Sequence, residues 1–277
     1  MLFVPGTGPL LVEDNVGSVG TLTPGTAVTT GGASSTKGTP AELIASTLFD
    51  AYWVRIMASN YGESGVAADG AMDILIGAST EDVLIPNLLM GYCGDLEVSC
   101  RAPKIWDFPL YIPAGSRIAC QAAGLRLSTA VRVGIYLFGG NGMPGYPVGT
   151  RVTTYGMGTV PNGTAITPGT SGAEGSWTQI TASTTEQHLA VVPSFQVTND
   201  SSMNLRGYSL DIGIGSATEE VIGTGYTYWG DTADQMGGPC QSFPTFHPIP
   251  SGTRLVARVS NNGTNDAGYD CVLHGVS

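Results

Sequence analysis

An all-β chain made of two tandem antiparallel sandwiches of the jelly-roll kind is the fold class that this sequence predicts, and three observations predict it. Apolar and β-branched residues alternate with polar ones at a period of two in several short runs. Glycine (40 residues) and proline (17 residues) fill about a fifth of the 277 positions, so turns recur every few residues. The chain also repeats itself in order, half against half.

The repeat is carried by four separated blocks. Ile112-Pro-Ala-Gly-Ser-Arg-Ile118 returns as Ile249-Pro-Ser-Gly-Thr-Arg-Leu255. Asp73-Ile-Leu-Ile-Gly77, with Glu81-Asp82-Val83 after it, returns as Asp211-Ile-Gly-Ile-Gly215 with Glu219-Glu220-Val221. Gly20-Thr-Leu-Thr-Pro-Gly-Thr-Ala-Val-Thr29 is answered by Gly158-Thr-Val-Pro-Asn-Gly-Thr-Ala-Ile-Thr167, and Ala45-Ser46-Thr47 by Ala182-Ser183-Thr184. Order and spacing are kept throughout, which is the signature of a tandem duplication. The expected units are residues 1–139, with an N-terminal extended arm, and 140–277, with a linker and arm of its own. The join falls in the Gly/Pro-rich stretch from Gly139 to Gly145.

Taken in order, the Gly/Thr-rich segment Thr21–Gly38 and its counterpart Thr159–Gly175 read as extended arms or first strands, each able to reach a neighbour. Thr39-Pro40-Ala41-Glu42 has the form of a helix-capping box, but its counterpart Ser176-Trp-Thr-Gln-Ile-Thr181 is aromatic and β-branched, so a strand is expected in both places. Met72, Ile74 and Ile76 match Leu210, Ile212 and Ile214 as inward positions of strands, with Asp73 and Asp211 on the opposite face. The Pro-x-Gly turns before Arg117 and Arg254 lead into strands carrying Ile118, Cys120 and Ala122 in one copy and Leu255, Ala257 and Val259 in the other. Val131, Val133, Ile135 and Leu137 alternate in the last strand of the first copy. About eight short strands per unit, without a helical stretch between them, favour an antiparallel sandwich over a βαβ fold.

Composition narrows the function. With 42% apolar and 12% charged residues the chain has the means to build a core. Its net charge of -11 repels a phosphate backbone, so nucleic acid is not an expected partner. No apolar run reaches the ~18 residues of a membrane helix, and Met1–Val4 is interrupted by Pro5-Gly6 without a basic flank. Neither membrane insertion nor a signal peptide is expected. Cys93, Cys100, Cys120, Cys240 and Cys271 lack finger spacing and read as reduced structural thiols, as in a cytoplasm.

Candidate chemical sites are sparse. Gly140-Asn-Gly-Met-Pro-Gly145 has the letters of a dinucleotide loop, yet prolines replace the helix that would receive the pyrophosphate, so it reads as a linker. His188, His247 and His274 all lie in the second copy and read as loop or packing residues. Glu81-Asp82 and Glu219-Glu220 read as solvated strand ends, since adjacent residues on a strand point apart. Asp231 and Asp234 lack the full ligand pattern of a calcium loop. No catalytic, cofactor or metal residue is therefore expected. Arg117 and Arg254 are expected to hold their turns through a carboxylate across the sandwich, with Asp73 and Asp211 as candidate partners. Leu84, Leu88, Leu89 and Met90 form an apolar stretch that, if exposed, marks a subunit interface. Tyr226, Tyr228 and Trp229 read as core or subunit packing, with a glycan-stacking platform as the alternative.

Gly25-Thr-Ala-Val-Thr-Thr-Gly31, Lys37-Gly-Thr-Pro40, Ile44-Ala-Ser-Thr47, Asp73-Ile-Leu-Ile-Gly77, Val83-Leu-Ile-Pro-Asn-Leu-Leu89 and Ile112-Pro-Ala-Gly-Ser-Arg117 together resemble structural proteins of tailed bacteriophages. The resemblance covers most of both repeats and rests on turn and strand signatures. It implies a β-sandwich virion component, assembled in the host cytoplasm, that contacts itself and other capsid or tail proteins as decoration, adaptor or fibre-associated subunit. A host-surface glycan is the alternative partner, and no active-site residue is implied.

Overall fold

The computed structural model describes residues 9–16, 25–59, 69–77, 81–90, 103–124, 130–140, 147–170, 172–197, 206–216, 218–230, 240–261 and 269–277. Among them the chain is all β, with eighteen strands and no helix. It follows that no described helix is long and apolar enough to cross a membrane.

The first half contributes β1 (Leu11–Asp14), β2 (Thr26–Thr29), β3 (Ala41–Ile44), β4 (Ala51–Ser59), β5 (Gly70–Ile76), β6 (Asp82–Leu89), β7 (Lys104–Phe108), β8 (Ile118–Gly124) and β9 (Ala130–Gly139). The second half contributes β10 (Val152–Tyr155), β11 (Thr164–Ile166), β12 (Thr178–Thr181), β13 (Ala190–Val197), β14 (Arg206–Ile214), β15 (Glu220–Gly230), β16 (Cys240–Ser242), β17 (Leu255–Asn261) and β18 (Tyr269–Val276). In the first half β1 and β2 flank β9, which pairs β4, which pairs β7; the facing sheet runs β3-β8-β5-β6. Counting from β2, that interleaving of eight strands in two four-stranded sheets is the jelly roll.

The second half follows the same plan. β12-β17-β14-β15 repeats the order β3-β8-β5-β6, and β10, β11 and β13 all pair β18 as β1, β2 and β4 all pair β9. Even the irregularities correspond. A register shift lies between Glu42 and Ile44 and again between Gln179 and Thr181. β5 with β6 shifts around Ile74, and β14 with β15 around Ile212. One pairing breaks the pattern: β16 runs parallel to β7, with Gln241 opposite Ile105, and so joins the second half to the large sheet of the first.

Period-two alternation places one face of each strand inward. Val28, Ile56 and Val133 meet Ile74, Ile85 and Ile118 in the first core. Phe195, Tyr269 and Leu273 meet Leu210, Ile212 and Leu255 in the second. Val152, Ala190, Val192 and Val276 of the second half belong to the first core cluster, so the two sandwiches are packed directly on one another. The expected strands at Ala41–Ile44 and Thr178–Thr181 are present. Of the two forms expected for the Gly/Thr-rich segments, the described residues take the strand form: β2 and β11 lie against β9 and β18 of the same chain.

Candidate functional site

The turns shared by the two halves are built alike. Thr47 Oγ1 donates to the Pro113 carbonyl (2.8 Å) and Thr184 Oγ1 to the Pro250 carbonyl (2.9 Å), tying each Pro-x-Gly turn to the segment after β3 or β12. Arg117 donates to Glu42 (2.8 Å) and bonds Glu81. Arg254 donates to Gln179 (3.1 Å), to Glu219 (2.9 Å) and to the Gly215 carbonyl (2.7 Å). The arginines therefore reach along their own sheets to the neighbouring strand and the following loop, and not across the sandwich to Asp73 and Asp211 as expected. Asp73 and Asp211 do not lie across the sandwich: they stand on β5 and β14, beside β8 and β17 in the same sheet, opposite Gln121 and Arg258 and so four residues along from the arginines. Glu81 and Glu219 thereby serve the arginines, while Asp82 and Glu220 are exposed.

The repeated aspartates do a separate job. Asp73 bonds Lys37 and accepts from the Asn87 amide (2.8 Å) and Gln121 (2.8 Å). Asp211 accepts from Thr224 (2.6 Å), Arg258 (3.0 Å) and the Gly225 amide (3.3 Å). Burial raises the Asp211 pKa, but the bonds from Thr224 and Arg258 outweigh it and hold the carboxyl below its ordinary value. Asn87 (φ 56°) and Gly225 (φ 75°) are left-handed residues at matching bulges of β6 and β15. Each aspartate thus clasps a bulge.

Leu84, Leu88, Leu89 and Met90 are buried, with Leu88 and Leu89 at 0% exposure, so they are not a subunit interface. Leu84, Leu88 and Met90 lie in the first core, and Leu89 packs with Ala71 and Val272 between the sandwiches. The chain covers its own sticky stretch. Tyr226 is 8% exposed and its hydroxyl donates to the Phe243 carbonyl (3.0 Å), which removes it from any open stacking platform. Tyr228 and Trp229 stand in register opposite Tyr208 and Gly207, and their side chains lie outside the described residues. So do Asp231, Asp234, Cys93, Cys100 and the side chain of Cys240. Cys120 and Cys271 are free and buried, and burial pushes both thiols up, away from reactivity.

A polar seam between the sandwiches is the feature that sequence reasoning misses. Ser194 Oγ accepts from the Leu89 amide (2.8 Å) and from Trp106 Nε1 (3.1 Å). Lys104 Nζ donates to the Phe195 carbonyl (2.7 Å). Asp69 and Asp270 sit close by; burial, reinforced by Asp270 and opposed by Lys104, pushes Asp69 up to about 7. His274 bonds Thr154 through Nδ1 (2.9 Å), and burial lowers its pKa to about 3. Thr154 in turn donates to the Pro86 carbonyl of β6 (2.7 Å). His188 is fully buried, bonded to the Tyr155 hydroxyl (2.8 Å), with its pKa lowered by burial, whereas His247 lies in the half-exposed turn after β16. The sequence signal for this seam is a lysine inside the apolar run Lys104-Ile-Trp-Asp-Phe108.

The outward face of β4 and β9 is the open counterpart of that seam. Trp53, Arg55 and Met57 alternate with buried Val54, Ile56 and Ala58, while Tyr136 and Phe138 alternate with Ile135 and Leu137. At its centre the fully buried Asp107 carboxylate accepts from Trp53 Nε1 (2.9 Å), from Arg55 at two atoms (2.9 and 3.0 Å) and from Gln241 (3.1 Å). That bidentate bond raises the Arg55 pKa and locks the tryptophan and the guanidinium in place. Phe246 borders the face, 6.4 Å from Trp53 between ring centres. Rigid half-exposed aromatic and arginine side chains are the chemistry of a protein-binding surface. Among the described residues no group of three or more His, Cys, Asp or Glu stands together as a metal site requires.

No family model matches the chain, and no curated protein matches it in sequence. Among solved structures it is similar to PNGF-II, with 9% identity, a TM-score of 0.37, and coverage of 99% of this chain and 65% of that one. It is also similar to PNGase F, a glycosylasparaginase from Flavobacterium meningosepticum (8% identity, TM-score 0.29, 98% and 96% covered). A third is the VP2 subviral particle of infectious bursal disease virus (10% identity, TM-score 0.23, 98% and 72% covered). The chain thus spans 65% of the length of PNGF-II.

Proposed function

We propose that this chain is a non-enzymatic structural subunit of a bacteriophage virion, which assembles with copies of itself and contacts other capsid or tail proteins. In this reading the chain is a tandem duplication whose units are residues 1–139 and 140–277. The observation that carries it is the matched pair of sandwiches sharing one polar seam while presenting unequal outer faces. In the second sandwich the outward positions Ala190, Val192, Ser194, His274 and Val276 are all 0% exposed, covered by the first. In the first sandwich the outward positions Trp53, Arg55, Met57, Tyr136 and Phe138 are half-exposed. A block with one covered and one uncovered version of the same face is suited to addition of further blocks.

The features common to both halves support the same reading, because the bulge clasps and arginine-held turns maintain strand geometry. Quantitative mass spectrometry of purified phage particles tests it. Presence at a fixed stoichiometry relative to the major capsid protein is the expected result: hundreds of copies for a shell decoration, a few to a few dozen for a tail or fibre component. Absence from the particles overturns the reading.

A further inference from the structure

We infer that the outward face of β1, β9 and β4 is the docking site for the β15 edge of a second copy of this chain, which repeats between chains the packing that joins the two sandwiches within one. The inference rests on the reading of the chain as a self-assembling subunit and names the partner and the surface.

The argument is one of matched positions with unmatched surroundings. Val12 pairs Phe138 at the edge of the first large sheet, and Val152 pairs Val276 at the corresponding place in the second. Val152 is 5% exposed and belongs to the first sandwich's core cluster, whereas Val12 is 49% exposed. What covers Val152 and its neighbours comes from β6 and β7 of the first sandwich, where Thr154 bonds the Pro86 carbonyl and Ser194 bonds Leu89 and Trp106. The bulge of β15 occupies the place in the second sandwich that Pro86-Asn87 holds in the first. Pro86 and Asn87 are half-buried there, while Thr224 and Gly225 are exposed. Phe243, just beyond β16, is 50% exposed.

Among the described residues each chain therefore carries a half-exposed face on the first sandwich and an exposed edge on the second. The counterparts of both surfaces are packed on one another inside the molecule, so the occupant proposed is the second sandwich of another copy. Leu10 and Val12, 52% and 49% exposed at the sheet edge, extend the apolar area of the face beyond Phe138. Because face and edge are different surfaces, the contact is heterologous and successive contacts build a head-to-tail assembly.

Two full-length variants test this by native mass spectrometry and light scattering. Val12→Asp charges the face, and Thr224→Arg places a long cation on the edge. Both positions are exposed, so both variants are expected to keep the wild-type β circular dichroism; Val12→Asp keeps the melting temperature, and Thr224→Arg lowers it only by the loss of the Thr224 bond to Asp211. Wild type is expected to run as a multiple of 28.5 kDa and each variant alone as the monomer. An equimolar mixture is expected to form a dimer and stop there, because one intact face meets one intact edge. Either variant assembling like wild type, or the mixture remaining monomeric, overturns the docking site. A head-to-tail assembly that is absent from phage particles supports the docking site and overturns only the virion reading; a chain present in particles but monomeric in solution does the reverse.

Discussion

Asp69 shows how one buried side chain shapes the behaviour of the whole seam. Its folded pKa of about 7 stands well above the value of about 3.9 for an exposed aspartate, so the folded protein holds the proton more tightly than the unfolded chain does. Stability attributable to Asp69 is thus full at acid pH and falls as pH rises through about 7. His274 acts in the opposite sense: with its folded pKa lowered to about 3, stability is lost as pH falls below its ordinary value of about 6.5. Replacing Asp69 with Asn removes the first slope and leaves the second. Thermal melts from pH 5 to pH 8 are expected to show wild type losing stability relative to the variant as pH rises, with a slope of at most roughly 1.4 kcal/mol per pH unit. A difference between the two proteins that does not change with pH contradicts the seam electrostatics.

At the level of elements, backbone approach matters more than side chains. A Cβ on Gly38 would lie 2.1 Å from the Thr29 carbonyl oxygen, and one on Gly175 would lie 2.0 Å from the Thr167 oxygen. Both glycines also donate to the strand beside them, at Ala122 and Val259 (each 2.9 Å). Gly38→Ala and Gly175→Ala are each expected to destabilise by about 1–3 kcal/mol, as overpacking does, measured by urea unfolding. A neutral result at either site contradicts this close approach. These elements are legible in the sequence because the information is local: Gly, Pro and β-branched residues recur in order in both halves. Arg117 and Arg254 are legible as turn residues, yet their partners are not, since Glu81 and Glu219 are brought to them by the path of the following loop. The stretch Leu84–Met90 reads as sticky and exposed for a related reason. Hydrophobicity is visible in one chain segment, but the strands that close over it are not: Leu84, Leu88 and Met90 are buried in the first core, and Leu89 between Ala71 and Val272.

For the whole molecule, the seam makes two sandwiches into one body. Ser194 satisfies two buried donors from the first half, the Leu89 amide and the Trp106 indole. Ser194→Ala leaves both unpaired and is expected to cost about 2–4 kcal/mol while the chain still unfolds in a single calorimetric transition. Two separate transitions in wild type would contradict a seam that couples the halves. The parallel pair β7 with β16 and the unequal outer faces are invisible in the sequence, because the repeat itself treats the two halves as equivalents. Their asymmetry arises only where one copy lies against the other. That asymmetry is the basis of the proposed assembly, and an electron cryomicroscopy map of the purified full-length oligomer tests it most directly. The map is expected to show the β15 edge of one copy, with Thr224 and Phe243, seated over Trp53 and Tyr136 of the next. A map in which the Trp53 face is open to solvent, or covered by the same face of another copy, would contradict it.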